Sequence, residues 1–217
     1  MIKNMFDYIF EKKEKNPHKI LGLHSNKIRV FHPYKTLCFI KIKNKKYKAD
    51  LIDKRGFFQL ELMEKIKNTE YKVIYSENEF FDPYSFEPKV NLNHSLYGLL
   101  GAHKKIIDGV DGIQFGLWAP NAKGASVIGD FNDWDGHLHQ MKFIKQMGCF
   151  FIFIPKLKFN QKYKFEITTS DGFYITKTDP FGYFFELRPH NSSITFDLSS
   201  FKWEDKKWIQ KREKINL

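Results

Sequence analysis

The side chains with the most chemical potential gather in one run, Asp130-Phe131-Asn132-Asp133-Trp134-Asp135-Gly136-His137-Leu138-His139. Asp130, Asp133 and Asp135 are spaced closely enough for one carboxyl to act as an acid and another as a base or nucleophile. Turn chemistry is the preferred reading, because Asp and Asn in a glycine-containing loop bond backbone amides. The run also mimics a calcium loop, which needs oxygen ligands at positions 1, 3 and 5, Gly at 6 and Glu at 12. Counted from Asp130, position 5 is Trp134, the glycine arrives one place late as Gly136, and position 12 is Met141, so the match fails. His137 and His139 alternate and could clip a metal, but a zinc site takes three or four protein ligands and no third is apparent. Cys38 and Cys149 have no Cys or His at ligand spacing and read as core thiols. The sequence therefore assigns no catalytic residue, metal or cofactor.

The elements that must position this run are short strands. Residues 28–31, 38–42, 57–62, 71–75, 113–118, 126–128, 150–154, 163–168, 173–176 and 193–198 are rich in β-branched and aromatic side chains. Asp53-Lys54-Arg55-Gly56, Pro120-Asn121, Asp135-Gly136 and Asp171-Gly172 supply the turns between them. Helical periodicity fits only residues 5–15 and 96–100. The series repeats. Val30-Phe31-His32-Pro33 returns 87 residues later as Leu117-Trp118-Ala119-Pro120, and Gly56-Phe57-Phe58 returns 92 later as Gly148-Cys149-Phe150. Tyr71-Lys72-Val73 returns 92 later as Tyr163-Lys164-Phe165, and Asp82-Pro83-Tyr84 returns 97 later as Asp179-Pro180-Phe181. A kept order with a slowly growing offset predicts two tandem copies of one β-sandwich.

Composition narrows the class. The 217 residues carry 36 Lys+Arg against 25 Asp+Glu, a net charge of +11. Lysine is spread along the whole chain rather than clustered, so nucleic-acid binding is not favoured. The longest purely apolar run, residues 149–154, is far short of a membrane span. The N-terminus mixes aromatic and charged residues and does not read as a signal peptide. Two cysteines are too few for a disulfide scaffold. A cytoplasmic protein with reduced thiols and no membrane is expected.

Specific motifs sharpen this. In the second half Leu100-Gly101-Ala102-His103, Trp118-Ala119-Pro120-Asn121-Ala122, Gly129-Asp130-Phe131-Asn132, Tyr163-Lys164-Phe165 and Asp179-Pro180-Phe181 follow in order. In the first half Asn16-Pro17-His18-Lys19-Ile20-Leu21-Gly22-Leu23-His24 and Asp82-Pro83-Tyr84-Ser85-Phe86 stand out. Together, over about residues 16–208, they resemble the N-terminal part of the bacterial 1,4-α-glucan (glycogen) branching enzymes of glycoside hydrolase family 13. The second half resembles a carbohydrate-binding module of family 48, and the first half the extra N-terminal sandwich of the longer enzymes. The resemblance implies an all-β fold of two tandem immunoglobulin-like β-sandwiches with short N-terminal and linker helices. The expected organisation is an N-terminal helical segment at 1–15, a first sandwich at 16–88 and a linker at 89–111. The family 48 module then covers 112–199, and a tail covers 200–217.

The resemblance departs in places: His139-Gln140-Met141 stands where the family has His-Pro-Met, and residues 91–97 look shortened. The sequence ends near the point where the family's catalytic (β/α)8 barrel begins, and a barrel needs ~250 residues. The resemblance puts the two carboxylates of glycosyl transfer in that barrel, so purified chain is expected to form no new α-1,6 linkages, as read by iodine staining or chain-length analysis.

What remains is sugar binding. Family 48 modules resemble the glycogen-binding module of the AMP-activated kinase β subunit. Carried over, its site falls on Trp134, Lys164, Tyr174, where that module has Trp, and Asn191. Trp134 follows a buried strand in a turn-rich segment, and Phe131 can anchor the loop inward, leaving Trp134 outward. The implied partner is α-1,4-glucan or glycogen. Trp203 and Trp208 read as docking residues for a barrel, on a separate chain or through self-association. The rival reading is a structural or interaction module, even a decayed gene product, without sugar affinity.

Overall fold

The computed structural model describes residues 5–91, 96–198, 202 and 204–213. After a short helix α1 (Met5–Phe10), the first half holds β1 (Gly22–His24), β2 (Lys27–Phe31), β3 (Phe39–Ile42), β4 (Lys45–Lys48), β5 (Asp50–Asp53), β6 (Phe57–Glu61), β7 (Tyr71–Tyr75) and β8 (Asn78–Phe80). They form two antiparallel sheets, β1-β2-β6-β5 and β4-β3-β7-β8. The sheets close over Ile28 and Val30 of β2, Phe58 of β6, Ile40 of β3 and Tyr71 and Val73 of β7. Alternation along each strand puts these side chains on one face.

The second half repeats the plan. It holds β9 (Gly101–Ile107), β10 (Val110–Trp118), β11 (Gly124–Gly129), β12 (Lys142–Ile144), β13 (Cys149–Pro155), β14 (Lys162–Thr168), β15 (Tyr174–Lys177), β16 (Phe184–Phe185) and β17 (Ser193–Ile194). One sheet runs β12-β13-β10-β9. The other runs β11-β14-β17-β16, with β15 also pairing β14. Thus β1, β2 and β6 correspond to β9, β10 and β13, and β3, β7 and β8 to β11, β14 and β15. The fold is all-β.

The repeat extends to single hydrogen bonds. Tyr71 donates its hydroxyl to the Asp82 carboxylate at 2.8 Å, and Tyr163 does the same to Asp179 at 2.5 Å. Each carboxylate also accepts the amide two residues on, Tyr84 at 3.0 Å and Phe181 at 2.8 Å. Burial pushes the Asp82 carboxyl up to about 6 and raises that of Asp179. Ahead of each copy a histidine ring bonds the carbonyl three residues back, His24 to Leu21 at 3.1 Å and His103 to Leu100 at 2.8 Å. The glycine between them takes a positive φ, +99° at Gly22 and +96° at Gly101, where the backbone approaches Tyr84 and Phe181 respectively.

Helix α1 lies between the halves. Phe6 stacks on Phe57 at 4.5 Å, and Phe57 on Phe31 at 4.2 Å. The carbonyl of Ile9 accepts the Gln140 amide at 2.8 Å, and the Tyr84 hydroxyl donates to the Leu138 carbonyl at 3.1 Å. Phe6, Ile9, Leu21, Phe31, Phe57 and Tyr84 therefore share one apolar cluster with Phe115, Phe150 and Phe165 of the second half. A second helix, α2 (Lys206–Glu213), forms where the sequence suggests only a tail. The helical expectation at residues 96–100 is met by a single 3-10 turn, Leu96–Gly98.

Trp118 corrects the sequence reading. A large aromatic inside a strand pattern is expected in the core, which holds for Phe115, Phe131 and Phe165, yet Trp118 is 59% exposed at the end of β10. Phe115 and Leu117 take the inward positions, so the next residue must face out.

Candidate functional site

The loop after β11 is where the two copies differ. In the first sandwich the two-residue turn Lys43-Asn44 joins β3 directly to β4. In the second, residues 130–141 replace that hairpin and return beside β11, with Val127 N–H bonding the His139 carbonyl at 3.1 Å. Asn132, 3% exposed, holds the loop together. Its oxygen accepts Gly129 N–H at 2.8 Å, and its amide donates to the Val127 carbonyl and to His139 Nδ1, both at 2.9 Å. Burial lowers the His139 imidazole to about 4, outweighing the upward pull of Asp135. The ring is therefore neutral at pH 7, and its Nδ1 is free to accept.

With Asn132 tied down, the next two residues are forced into the left-handed region, Asp133 at φ 53° and Trp134 at φ 59°. Such a conformation costs a non-glycine residue about 1–2 kcal/mol, and it lifts the indole out of the loop. Trp134 is 37% exposed, and its Nε1–H donates to Asp130 Oδ1 at 3.1 Å. Phe131 packs inward against the core, 5.9 Å from the Phe115 ring. Asp135 accepts the backbone and ring nitrogens of His137 at 3.0 and 2.7 Å. Asp130 and Asp135 thus hold the loop's own groups, whereas Asp133 stays exposed. Among the described residues no group of three His, Cys, Asp or Glu side chains is gathered to hold a metal.

Beside the loop lies β14, whose Tyr163 and Phe165 point into the core. Its other face carries Lys162, Lys164 and Glu166, and the paired Tyr174 of β15 shares that face. Lys164 Nζ donates to Asn191 Oδ1 at 2.6 Å, so two of the expected site residues meet. Trp134 belongs to the same end of the strand, because Asp130 also accepts the Lys162 amide at 3.4 Å. Tyr174 does not join them. It pairs with Thr168, four residues along β14 from Lys164, or ~13 Å at strand rise. Its hydroxyl bonds the Glu11 carbonyl at 3.0 Å, and Lys12 Nζ sits 3.8 Å from the centre of its ring. Lys12 also reaches Glu166 at 2.5 Å. The segment after α1 therefore covers one face of the ring, a contact across 163 residues that no local pattern announces.

In the first sandwich the counterpart of Lys164 is Lys72, which is taken up by Glu79 at 3.6 Å and by the Phe81 ring at 5.4 Å. Trp208 lies on α2, 60% exposed, with the Arg212 guanidinium 5.1 Å from its ring. Trp203 lies outside the described residues.

Known proteins match in the same two-part order. Residues 3–84 match the N-terminal domain of the alpha-1,4-glucan branching enzyme GlgB. Residues 99–182 match carbohydrate-binding module 48, the isoamylase N-terminal domain. The 1,4-alpha-glucan branching enzyme GlgB of Thermosynechococcus vestitus is 34% identical across 95% of this chain and 30% of its own length. The same-named protein of Synechococcus sp. (strain JA-2-3B'a(2-13)) is 43% identical across 62% of this chain and 19% of its own. The chain thus spans less than a third of the length of these curated relatives. A pullulanase from Anoxybacillus sp. LM18-11, complexed with maltotetraose, overlaps 83% of the chain at 13% identity and a TM-score of 0.40, too loose a likeness to argue from. Two family matches in the order of the internal repeat, bridged by relatives that carry both, make the chain a member of the 1,4-alpha-glucan branching enzyme family over its N-terminal region, a GlgB N-terminal domain followed by a family 48 carbohydrate-binding module.

Proposed function

We propose that the chain is the non-catalytic, α-glucan-holding part of a cytoplasmic branching enzyme of glycogen synthesis, and that Trp134 is its platform. The observation that carries this is the exposed indole held on a left-handed loop beside the Lys164–Asn191 pair. A flat ring covers the C–H face of a pyranose, and the amine and amide meet its hydroxyl edge. Lys164 and Asn191 exchange their mutual bond for sugar hydroxyls. The expected affinity is modest, on the order of tens of micromolar to millimolar.

Retardation in native gels cast with glycogen tests the reading. Wild type is expected to be retarded, and Trp134→Ala to migrate as in a glycogen-free gel while keeping its circular dichroism spectrum. Equal retardation of the two removes Trp134 as platform, and no retardation of wild type removes the glucan reading as a whole. Tyr174 is assigned to anchoring the Glu11–Lys12 segment, so Tyr174→Phe is expected to leave retardation unchanged. The outer face of α2 around Trp208 is assigned to docking a catalytic barrel, on the same or a separate chain. Trp208→Ala is expected to weaken pull-down of an added barrel and to leave glycogen retardation intact.

A further inference from the structure

A cleft of about 530 Å³ runs between the two sandwiches. That size falls within the ~300–1,000 Å³ of small-ligand sites. One wall comes from the first sandwich and includes His32, Asn78, Phe80 and Tyr84; the other comes from the second and includes Asp133 and Leu157. Asp133 precedes Trp134 in the same left-handed pair, so the loop that lines the cleft also carries the indole, which is not part of the lining.

Three features define what the cleft can hold. First, it offers hydrogen-bonding groups: His32 Nδ1 is buried and unbonded, and the exposed side chains of Asn78 and Asp133 lie on the lining. Second, two of its three lysines are paired, Lys72 with Glu79 at 3.6 Å and Lys156 with Asp111, while Lys35, which donates to the Ser76 hydroxyl at 3.3 Å, shares the lining with the Asp133 carboxylate. Burial and Lys35 also hold the His32 imidazole down, so an anionic ligand gains little. Third, Phe80 is half exposed at the mouth. An imidazole, an amide and a carboxylate combined with aromatic surface describe a site for an uncharged sugar, whose hydroxyls can donate to and accept from them, rather than for a phosphate or a lipid.

We infer that this cleft is a second sugar subsite, taking a short α-1,4-linked gluco-oligosaccharide between the sandwiches, next to the Trp134 platform. The inference rests on the glucan reading above but concerns residues that the platform does not use. In it, Phe80 covers a pyranose face, while His32, Asn78 and Asp133 bond hydroxyls.

The test is a maltotetraose titration of the intact chain, followed by ¹H–¹⁵N amide and indole shifts, in wild type, Trp134→Ala and Phe80→Ala. Saturable shifts at residues 76–81 that persist in Trp134→Ala and weaken about fivefold in Phe80→Ala support the subsite. Movement of the Trp134 indole alone overturns the subsite and leaves the platform standing. Shifts at 76–81 that vanish in Trp134→Ala are transmitted from the platform and also overturn it. An equal response at 76–81 to cellotetraose denies selectivity for the α-linkage and overturns it too. If nothing moves in wild type, the subsite falls together with the glucan reading.

Discussion

Replacing Gly22 with alanine is expected to destabilise the protein by about 4 kcal/mol. Two penalties coincide there. At φ +99° an L side chain is strained, and a Cβ would lie 2.5 Å from the Tyr84 carbonyl oxygen and 2.8 Å from its carbon. Both atoms are backbone, anchored by the Asp82 turn that receives the Tyr71 hydroxyl, so neither can yield. The Ser85 hydroxyl is committed as well, accepting Leu23 N–H at 2.8 Å. The counterpart Gly101 shares the strain at φ +96°, but its Cβ would lie 3.0 Å from the Phe181 oxygen. Gly101→Ala should therefore cost only about half as much, ~2 kcal/mol. Urea unfolding midpoints rank the two. Equal losses, or a loss below 1 kcal/mol at Gly22, would show that the repeated glycines are not held by these contacts.

Asn132→Ala is expected to cost about 3 kcal/mol and to abolish glycogen retardation, although Asn132 does not face solvent. The change leaves Gly129 N–H, the Val127 carbonyl and His139 Nδ1 without their side-chain partner, and it frees the two left-handed residues to relax. The same cluster gives a pH signature. His139 titrates near 6.5 in the unfolded chain and at about 4 when folded. Its contribution to stability is complete above pH 6.5 and drains away as the pH falls towards 4, by about 3 kcal/mol in all. Asp82 works in the opposite sense: its carboxyl is raised from 3.8 to about 6, so its contribution is present below 3.8 and lost as the pH rises through 6. His18, lowered by burial to about 4, adds to the acid-side loss, and Asp179, raised by burial, adds to the opposing trend, so His139→Gln should remove about half of the acid-side loss. If the two proteins show parallel stability profiles between pH 4 and 6.5, protonation of His139 does not contribute to the acid-side loss.

Most of the strand plan was legible because a half-buried strand repeats every second residue and turn formers punctuate it. The duplicated Tyr-Lys-Val and Tyr-Lys-Phe strands are plain in the letters, whereas the Tyr–Asp bond that makes them equivalent is not. One further echo was present and unread: Leu21-Gly22-Leu23-His24 returns as Leu100-Gly101-Ala102-His103, with the same strained glycine and the same ring-to-carbonyl bond. A place within a strand pattern suggests a core position for Trp118, but β10 ends there and alternation turns it outward. At the candidate site, the Lys164–Asn191 contact could be anticipated only through the family resemblance. The covering of Tyr174 by Lys12 could not be anticipated at all, since it depends on where a helix from the far end of the chain comes to rest.

That helix has an engineering consequence. Exchanging the sugar-binding module between branching enzymes invites a cut near residue 89, where the pattern of the first sandwich stops. Such a graft would leave behind Phe6 and Ile9 of α1, the Tyr84 hydroxyl that reaches Leu138, and the main chain of Lys12 that caps Thr168 at 2.9 Å. The recipient would inherit a module with an uncovered apolar floor and an unmade edge. A transplant that carries residues 5–14 and the first sandwich along with the module keeps these contacts intact.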